Sequence, residues 1–173
     1  MKRISSRAVR FFLLVILSSA AACGCAYRVG SSLSSRGKSI CVDNFVNKTT
    51  KPQIEFETTS ATLREFQRDG TLSVAAAGDA DLIMETQLTH YGLEPLRYER
   101  NRPTTAREYR LTLTADVVVK AAATQKVVEK LSGLTGQTTF AVTVDLLSDE
   151  KTALPAAAKD LAHHIVEGVV EYW

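Results

Sequence analysis

Alternating segments in the middle of the chain, flanked by two stretches of helical periodicity, predict an α+β domain. The expected architecture has two layers, with two amphipathic helices packed on one mostly antiparallel (mixed) four-stranded sheet. From Ala80 to Tyr91 and again from Tyr109 to Lys120, apolar and polar residues alternate with period two. That pattern belongs to strands with one packed side and one wet side. Around Ile54–Phe66 and Ala158–Tyr172 the apolar residues recur instead at three- and four-residue intervals, as on one face of a helix.

The chain opens with Lys2, Arg3, Arg7 and Arg10, then an apolar run from Phe11 to Leu17, then small residues and cysteine. A charged start, a short apolar stretch and a small-residue cleavage site make a secretory signal peptide, expected over residues 1–24. The run falls short of the roughly 20 apolar residues that span a bilayer. A cysteine directly after the small residues marks a bacterial lipoprotein-type signal, in which the thiol is acylated and the chain is cut before it. Cys25 follows Gly24 and is the expected acylation site, with Cys23, which follows three alanines, as the alternative. Residues 25–37 read as a lipid-anchored tether and 38–173 as a single periplasmic α+β domain.

Removing the leader reverses the charge. The chain holds 21 basic and 19 acidic residues. Four of the basic ones precede Cys25 and none of the acidic ones does, which leaves 17 against 19. The basicity belongs to the leader, so the sequence gives no reason to expect a nucleic-acid partner.

In order, Lys38–Phe45 alternates as a first strand, and Asn44–Pro52 is dense in turn formers. Gln53–Asp69 is helical, with Ile54, Thr58 and Ala61 in one row, Phe56, Leu63 and Phe66 in the next, and Gly70 as its stop. Thr71–Ala75 is a short strand, and in Ala80–Tyr91 the residues Leu82, Met84, Thr86 and Leu88 share a face. Gly92–Ala106, rich in Pro and Arg, reads as a connection. The next strand turns Tyr109, Leu111, Leu113, Ala115, Val117 and Val119 one way, and Val127–Val144 is its hairpin partner, with a bulge or bend at Gly133 and Gly136. A last helix is expected from Pro155, at a first-turn position, to Tyr172.

No catalytic constellation emerges, so the reading is non-enzymatic, with no metal site and no cofactor beyond the lipid. His163 and His164 are neighbours on a helix, about 100° apart, and cannot chelate as an i, i+4 pair would. The expectation places His163 beside the apolar stripe and His164 toward solvent. There is no Gly-x-Ser-x-Gly elbow and no glycine-rich phosphate loop. The polar feature that stands out is Arg97, Arg100, Arg102, Arg107 and Arg110, with Glu99 and Glu108 and with Tyr91, Tyr98 and Tyr109 interleaved. Arginine forks suit phosphates, while charges on a hairpin loop can also simply keep a sheet edge soluble.

Gly24-Cys25-Ala26-Tyr27, then Ser39–Phe45 running into Phe45-Val-Asn47-Lys-Thr49, the alternating strand to Thr89 and the terminal amphipathic helix together resemble the LptE family of lipopolysaccharide-assembly lipoproteins. Ala26 departs from the glycine usual in that family's start. The resemblance implies two helices on a four-stranded sheet and an outer-membrane lipoprotein facing the periplasm. It also implies an LptD-type β-barrel partner and lipopolysaccharide as cargo, with the five arginines as candidate contacts to lipid A phosphates or anionic barrel residues. A competing reading is a periplasmic lipoprotein that docks on and activates a cell-wall synthase. The tether of about a dozen residues, at most roughly 45 Å extended, favours a partner in the same membrane.

Overall fold

The computed structural model describes residues 38–99 and 102–172, with the side chains of 102–104 outside that description. The predicted leader, tether and both candidate acylation sites, Cys23 and Cys25, lie outside the described residues.

The chain forms β1 (Ser39–Val42), β2 (Val46–Asn47), helix α1 (Ile54–Asp69), β3 (Ser73–Val74), β4 (Leu82–Glu99), β5 (Arg102–Ala121), β6 (Val127–Ala141) and helix α2 (Leu146–Val170). The class is α+β, as the sequence predicts, but the sheet has six strands and not four. Its order is β3-β1-β4-β5-β6, with β2 also on β4. β3 falls within the expected short strand Thr71–Ala75, whereas β2, two residues long, lies where the sequence reads as a turn and is too short for alternation to reveal. β4, β5 and β6 form an antiparallel meander, whereas β1 pairs parallel with both β3 and β4.

Alternation along β4 and β5 buries Leu82, Met84, Thr86 and Leu88 and then Leu111, Leu113, Ala115, Val117 and Val119 beneath the helices. Helix α1 adds Ile54, Ala61 and Phe66, and α2 adds Ala157, Ala158, Leu161, Ala162, Ile165, Val166 and Val169. Phe56, expected in the core, is 70% exposed. Gly70 closes α1 in the left-handed region at φ 75°, donating its N–H to Phe66 O. On β6, Gly136 lets α2 lie directly on the strand: a Cβ there would come 2.2 Å from Leu161 N.

Two boundaries differ from expectation. Helix α2 begins more than two turns before Pro155, which lies inside the helix. A capping cluster sets the start: Asp145 accepts from Ser148 N at 2.9 Å, and Asp149 accepts from Thr143 N at 2.6 Å and Val144 N at 3.1 Å. These bonds and the docking of Glu150 and Leu154 offset the hydrogen bond that an interior proline removes. The predicted connection Gly92–Ala106 is instead hairpin: β4 runs on to Glu99 and β5 resumes at Arg102, with register shifts near Pro95, Arg97 and Tyr98. Pro95 marks the start of these irregularities, whereas Gly92 pairs in regular register with Thr112.

Candidate functional site

Beyond the last residue of β2, the far ends of β4 and β5 have only each other and the end of β6 as neighbours. This overhanging hairpin carries the predicted arginines. Arg97 lies opposite Glu108 and Arg110 opposite Glu94, on the sheet face away from the helices. Both make cross-strand ion pairs, Arg97 Nε–Glu108 Oε2 at 3.4 Å and Arg110 Nη1–Glu94 Oε2 at 3.5 Å. Exposed pairs of this kind are worth about 0.2–1 kcal/mol, so their main effect is to neutralise one another. Arg107 is exposed and has no carboxylate partner among the described residues. Arg100 and the side chain of Arg102 lie outside the described residues, so the five arginines are not brought together as one observed cluster. Tyr109 stacks on Phe140 with ring centroids 6.0 Å apart.

The Phe45-Val-Asn-Lys-Thr49 stretch proves to be a structural joint. Phe45 is buried and its N–H donates to Thr59 Oγ1 on α1 at 3.1 Å. Asn47 accepts from Thr49 N at 2.9 Å, while its amide donates to Lys51 O at 2.7 Å and to Glu55 Oε2 at 2.9 Å. One asparagine thus closes the turn and ties it to the first turn of α1, a use for which a short amide side chain is suited. The turn delivers Lys51 to Glu150 on α2, a carboxylate only 5% exposed, which also accepts from Tyr91 Oη. Lys51 lies 5.7 Å from the centre of the Tyr91 ring. Burial and the bond to Glu150 push the Tyr91 hydroxyl well above its ordinary pKa, so it stays a donor. Beside this ion pair a groove of about 570 Å³ opens, walled by Pro52, Phe56, Leu147, Leu154 and Pro155. Sequence periodicity placed Phe56 inside; only the fold shows it on the rim of this groove.

Other polar residues have structural partners. His163 is exposed and approaches Glu65 Oε1 at 3.3 Å, while His164 is the more sheltered and meets Thr135 O at 2.7 Å, the reverse of their expected order. His164 faces β6 because α2 crosses that strand at Gly136. Burial and the neighbouring Asp43 carboxylate raise the Cys41 thiol, keeping it protonated and unreactive. Among the described residues, no group of three or more His, Cys, Asp or Glu could hold a metal ion, and no helix is long and apolar enough to cross a membrane.

A family profile described as "LptE: Lipopolysaccharide-assembly" matches residues 37–167, which is most of the chain and nearly all of this fold. The chain belongs to the LptE family. That family is one of non-enzymatic lipoproteins. A search among curated proteins finds no match. Among solved structures, the hypothetical protein CT253 from Chlamydia trachomatis is similar at TM-score 0.51 and 9% identity, covering 78% of this chain and 96% of its own. A candidate lipoprotein from Caulobacter crescentus gives TM-score 0.50 and 10% identity over 75% of this chain and 89% of its own. The PelC dodecamer from Paraburkholderia phytofirmans gives TM-score 0.46 and 12% identity over 76% and 88%. At such identities the first two speak for the fold alone. The hydrogen bonds of Phe45 and Asn47 make the Phe45–Thr49 turn the joint that fixes the start of α1 and places Lys51.

Proposed function

We propose that this LptE-family chain is an outer-membrane lipoprotein, held at the periplasmic face by a lipid on Cys25 or Cys23. Its role is to bind an LptD-type β-barrel, help it assemble, and assist lipopolysaccharide transport to the surface, without catalysing a reaction. The observation that carries this reading is the family match across 37–167. The overhanging hairpin is consistent with it, because a polar two-stranded arm clear of the helix layer can reach a partner while the core stays closed. Residues 1–24 act as the leader, 25–37 as the tether and 38–173 as the working domain.

The reading is tested by isolating the tagged, lipidated chain from envelopes in mild detergent and identifying what accompanies it in stoichiometric amount. A large β-barrel is the expected outcome; a cell-wall synthase with no barrel would replace this reading with the docking-module alternative. Within it, Arg97, Arg100, Arg102, Arg107 and Arg110 are proposed contacts to lipid A phosphates or anionic barrel residues. Changing all five to Gln should weaken lipopolysaccharide binding and flatten its salt dependence. Arg107→Gln alone should cost more than Arg97→Gln, because Arg97 is already held by Glu108. Equal losses would mean that the cross-strand pairs do not decide which arginines are available.

A further inference from the structure

Strand β6 is the outer strand of the sheet, and it is long. From Leu131 to Val144 it and the following turn carry no charged residue and no proline. Exposed strand edges are normally guarded by both, because a row of open N–H and C=O groups invites another strand. The same molecule guards its overhanging hairpin in that way, with Pro95, Pro103, Glu94, Arg97 and Glu108.

The direction of the open groups follows from the ladder. Val142 N bonds to Arg107 O on β5, and Gly136, Thr138 and Phe140 share that inward phase. Thr135, Gln137, Thr139 and Ala141 therefore aim their backbone groups outward. Helix α2 answers two of these with residues one turn apart: Asp160 accepts from Gln137 N at 2.9 Å and His164 meets Thr135 O at 2.7 Å. Past those clasps, no bond to the outward groups of Thr139 and Ala141 is found among the described residues, and both residues are exposed.

We infer that the outer edge of β6 around Thr139–Ala141 is a strand-addition site that takes an extended, charge-free segment of the barrel partner. This rests on the barrel reading given above. The carboxylates of Asp160 and Asp149, which hold the edge at Gln137 and at Thr143–Val144, would repel an acidic side chain in the incoming segment, and an uncharged segment desolvates no charge on pairing there. Main-chain bonds would supply the affinity and the small side chains Thr139 and Ala141 the steric access. The clasps at Thr135 and Gln137 on one side and the bonds from Thr143 and Val144 to Asp149 on the other bound the open stretch, so a partner strand pairs between them.

The test uses the full lipidated chain co-produced with its cognate LptD-type barrel. Thr139→Pro deletes an outward N–H that the β5 ladder does not use, and Thr139→Lys adds a charge to the edge while keeping the N–H. Both variants should lose barrel affinity at least tenfold. In the unmodified complex, the Thr139 and Ala141 amides should exchange at least tenfold more slowly than in the free chain. If Thr139→Pro lowers the melting temperature of the free chain, Thr139→Lys and the exchange measurement decide. Barrel binding that is unchanged in Thr139→Lys, with unaltered exchange at both amides, overturns the inference while leaving the barrel reading intact. Failure of the unmodified chain to bind the barrel overturns both. A Thr139-dependent dimer of the free chain assigns the edge to a second copy and overturns it as well.

Discussion

Replacing Gly136 by alanine adds a single methyl group where the backbone of α2 lies on β6. Built there, the Cβ would stand 2.2 Å from Leu161 N and 2.5 Å from both Leu161 Cα and Cβ. Ordinary carbon contacts lie at about 3.5–4.0 Å, so helix and strand must part by more than 1 Å. The obstacle is main chain, which no rotamer change can remove. Leu161, Ile165, Val166 and Val169 on that helix are essentially fully buried. At about 1.5–3 kcal/mol each for full burial, their sum is roughly 6–12 kcal/mol. A gap of 0.5–1 Å forfeits a quarter to a half of a contact's attraction, which puts the loss at roughly 2–6 kcal/mol. Overpacking typically costs about 1–3 kcal/mol, and about 3 kcal/mol is the expected value. In urea, with a slope of about 1–3 kcal/mol per molar, the unfolding midpoint of the leaderless chain should fall by more than about 1 M. Gly78→Ala is the control, because nothing lies within 4 Å of its Cβ position. A Gly136→Ala midpoint indistinguishable from that of Gly78→Ala would refute the close approach of α2 to β6.

Three further outcomes follow from the interior and the caps. Thr86 Oγ1 is buried with no hydrogen-bond partner, so Thr86→Val should stabilise by about 1 kcal/mol in thermal or urea unfolding; a loss would mean that the hydroxyl has a partner after all. Lys51→Met should cost about 3 kcal/mol and more than Glu150→Gln, because it strands a carboxylate whose side chain is 7% exposed, whereas Lys51, 31% exposed, can turn to water. Equal costs would show that the pair relaxes symmetrically. Donated hydrogen bonds from Ser148 hold the Asp145 carboxyl below its ordinary pKa, and bonds from Thr143 and Val144 do so for Asp149. Because the folded values are the lower ones, this stabilisation is present above the ordinary carboxylate pKa and is lost as pH falls through the folded values. Melting temperature followed from pH 5 down to pH 2 should therefore drop less steeply in Asp149→Asn than in the unmodified chain, and parallel curves would remove the cap from the account.

The sequence makes the sheet legible where one face is dry and the other wet. Leu82, Met84, Thr86 and Leu88, and the Leu111–Val119 series, are buried in the expected phase. It misleads where local chemistry has two uses. Pro155 can open a helix or interrupt one, and only the hydrogen bonds around Asp145 and Asp149 decide between them. Pro95 and the arginines resemble a loop, yet cross-strand pairing carries both strands past them. A strand of two residues such as β2 leaves no period to read. For the candidate site, the arginines were visible, but the glutamates that engage Arg97 and Arg110 depend on register across a hairpin. The Lys51–Glu150–Tyr91 joint links residues far apart in sequence, and no local pattern announces it.

The parallel pairing of β1 has a consequence for how the molecule comes into being. Ile40 must find Val74 on β3 and Leu82 on β4, and the first strand stays unmatched until α1 has been made and the chain has crossed over. The meander of β4, β5 and β6 can form from near neighbours, but its apolar face stays wet until α2 arrives, and α2 is the last element of all. Contacts between segments distant in sequence slow folding, because the chain entropy of closing the loop is lost before any contact repays it. A chain delivered N-terminus first therefore passes through a stage in which β1 has no partner and the sheet has no cover. During that interval the outer edge of β6 and the bare meander are open together. The period of greatest vulnerability is set by the order of the elements, and it ends only when the final helix closes over the sheet.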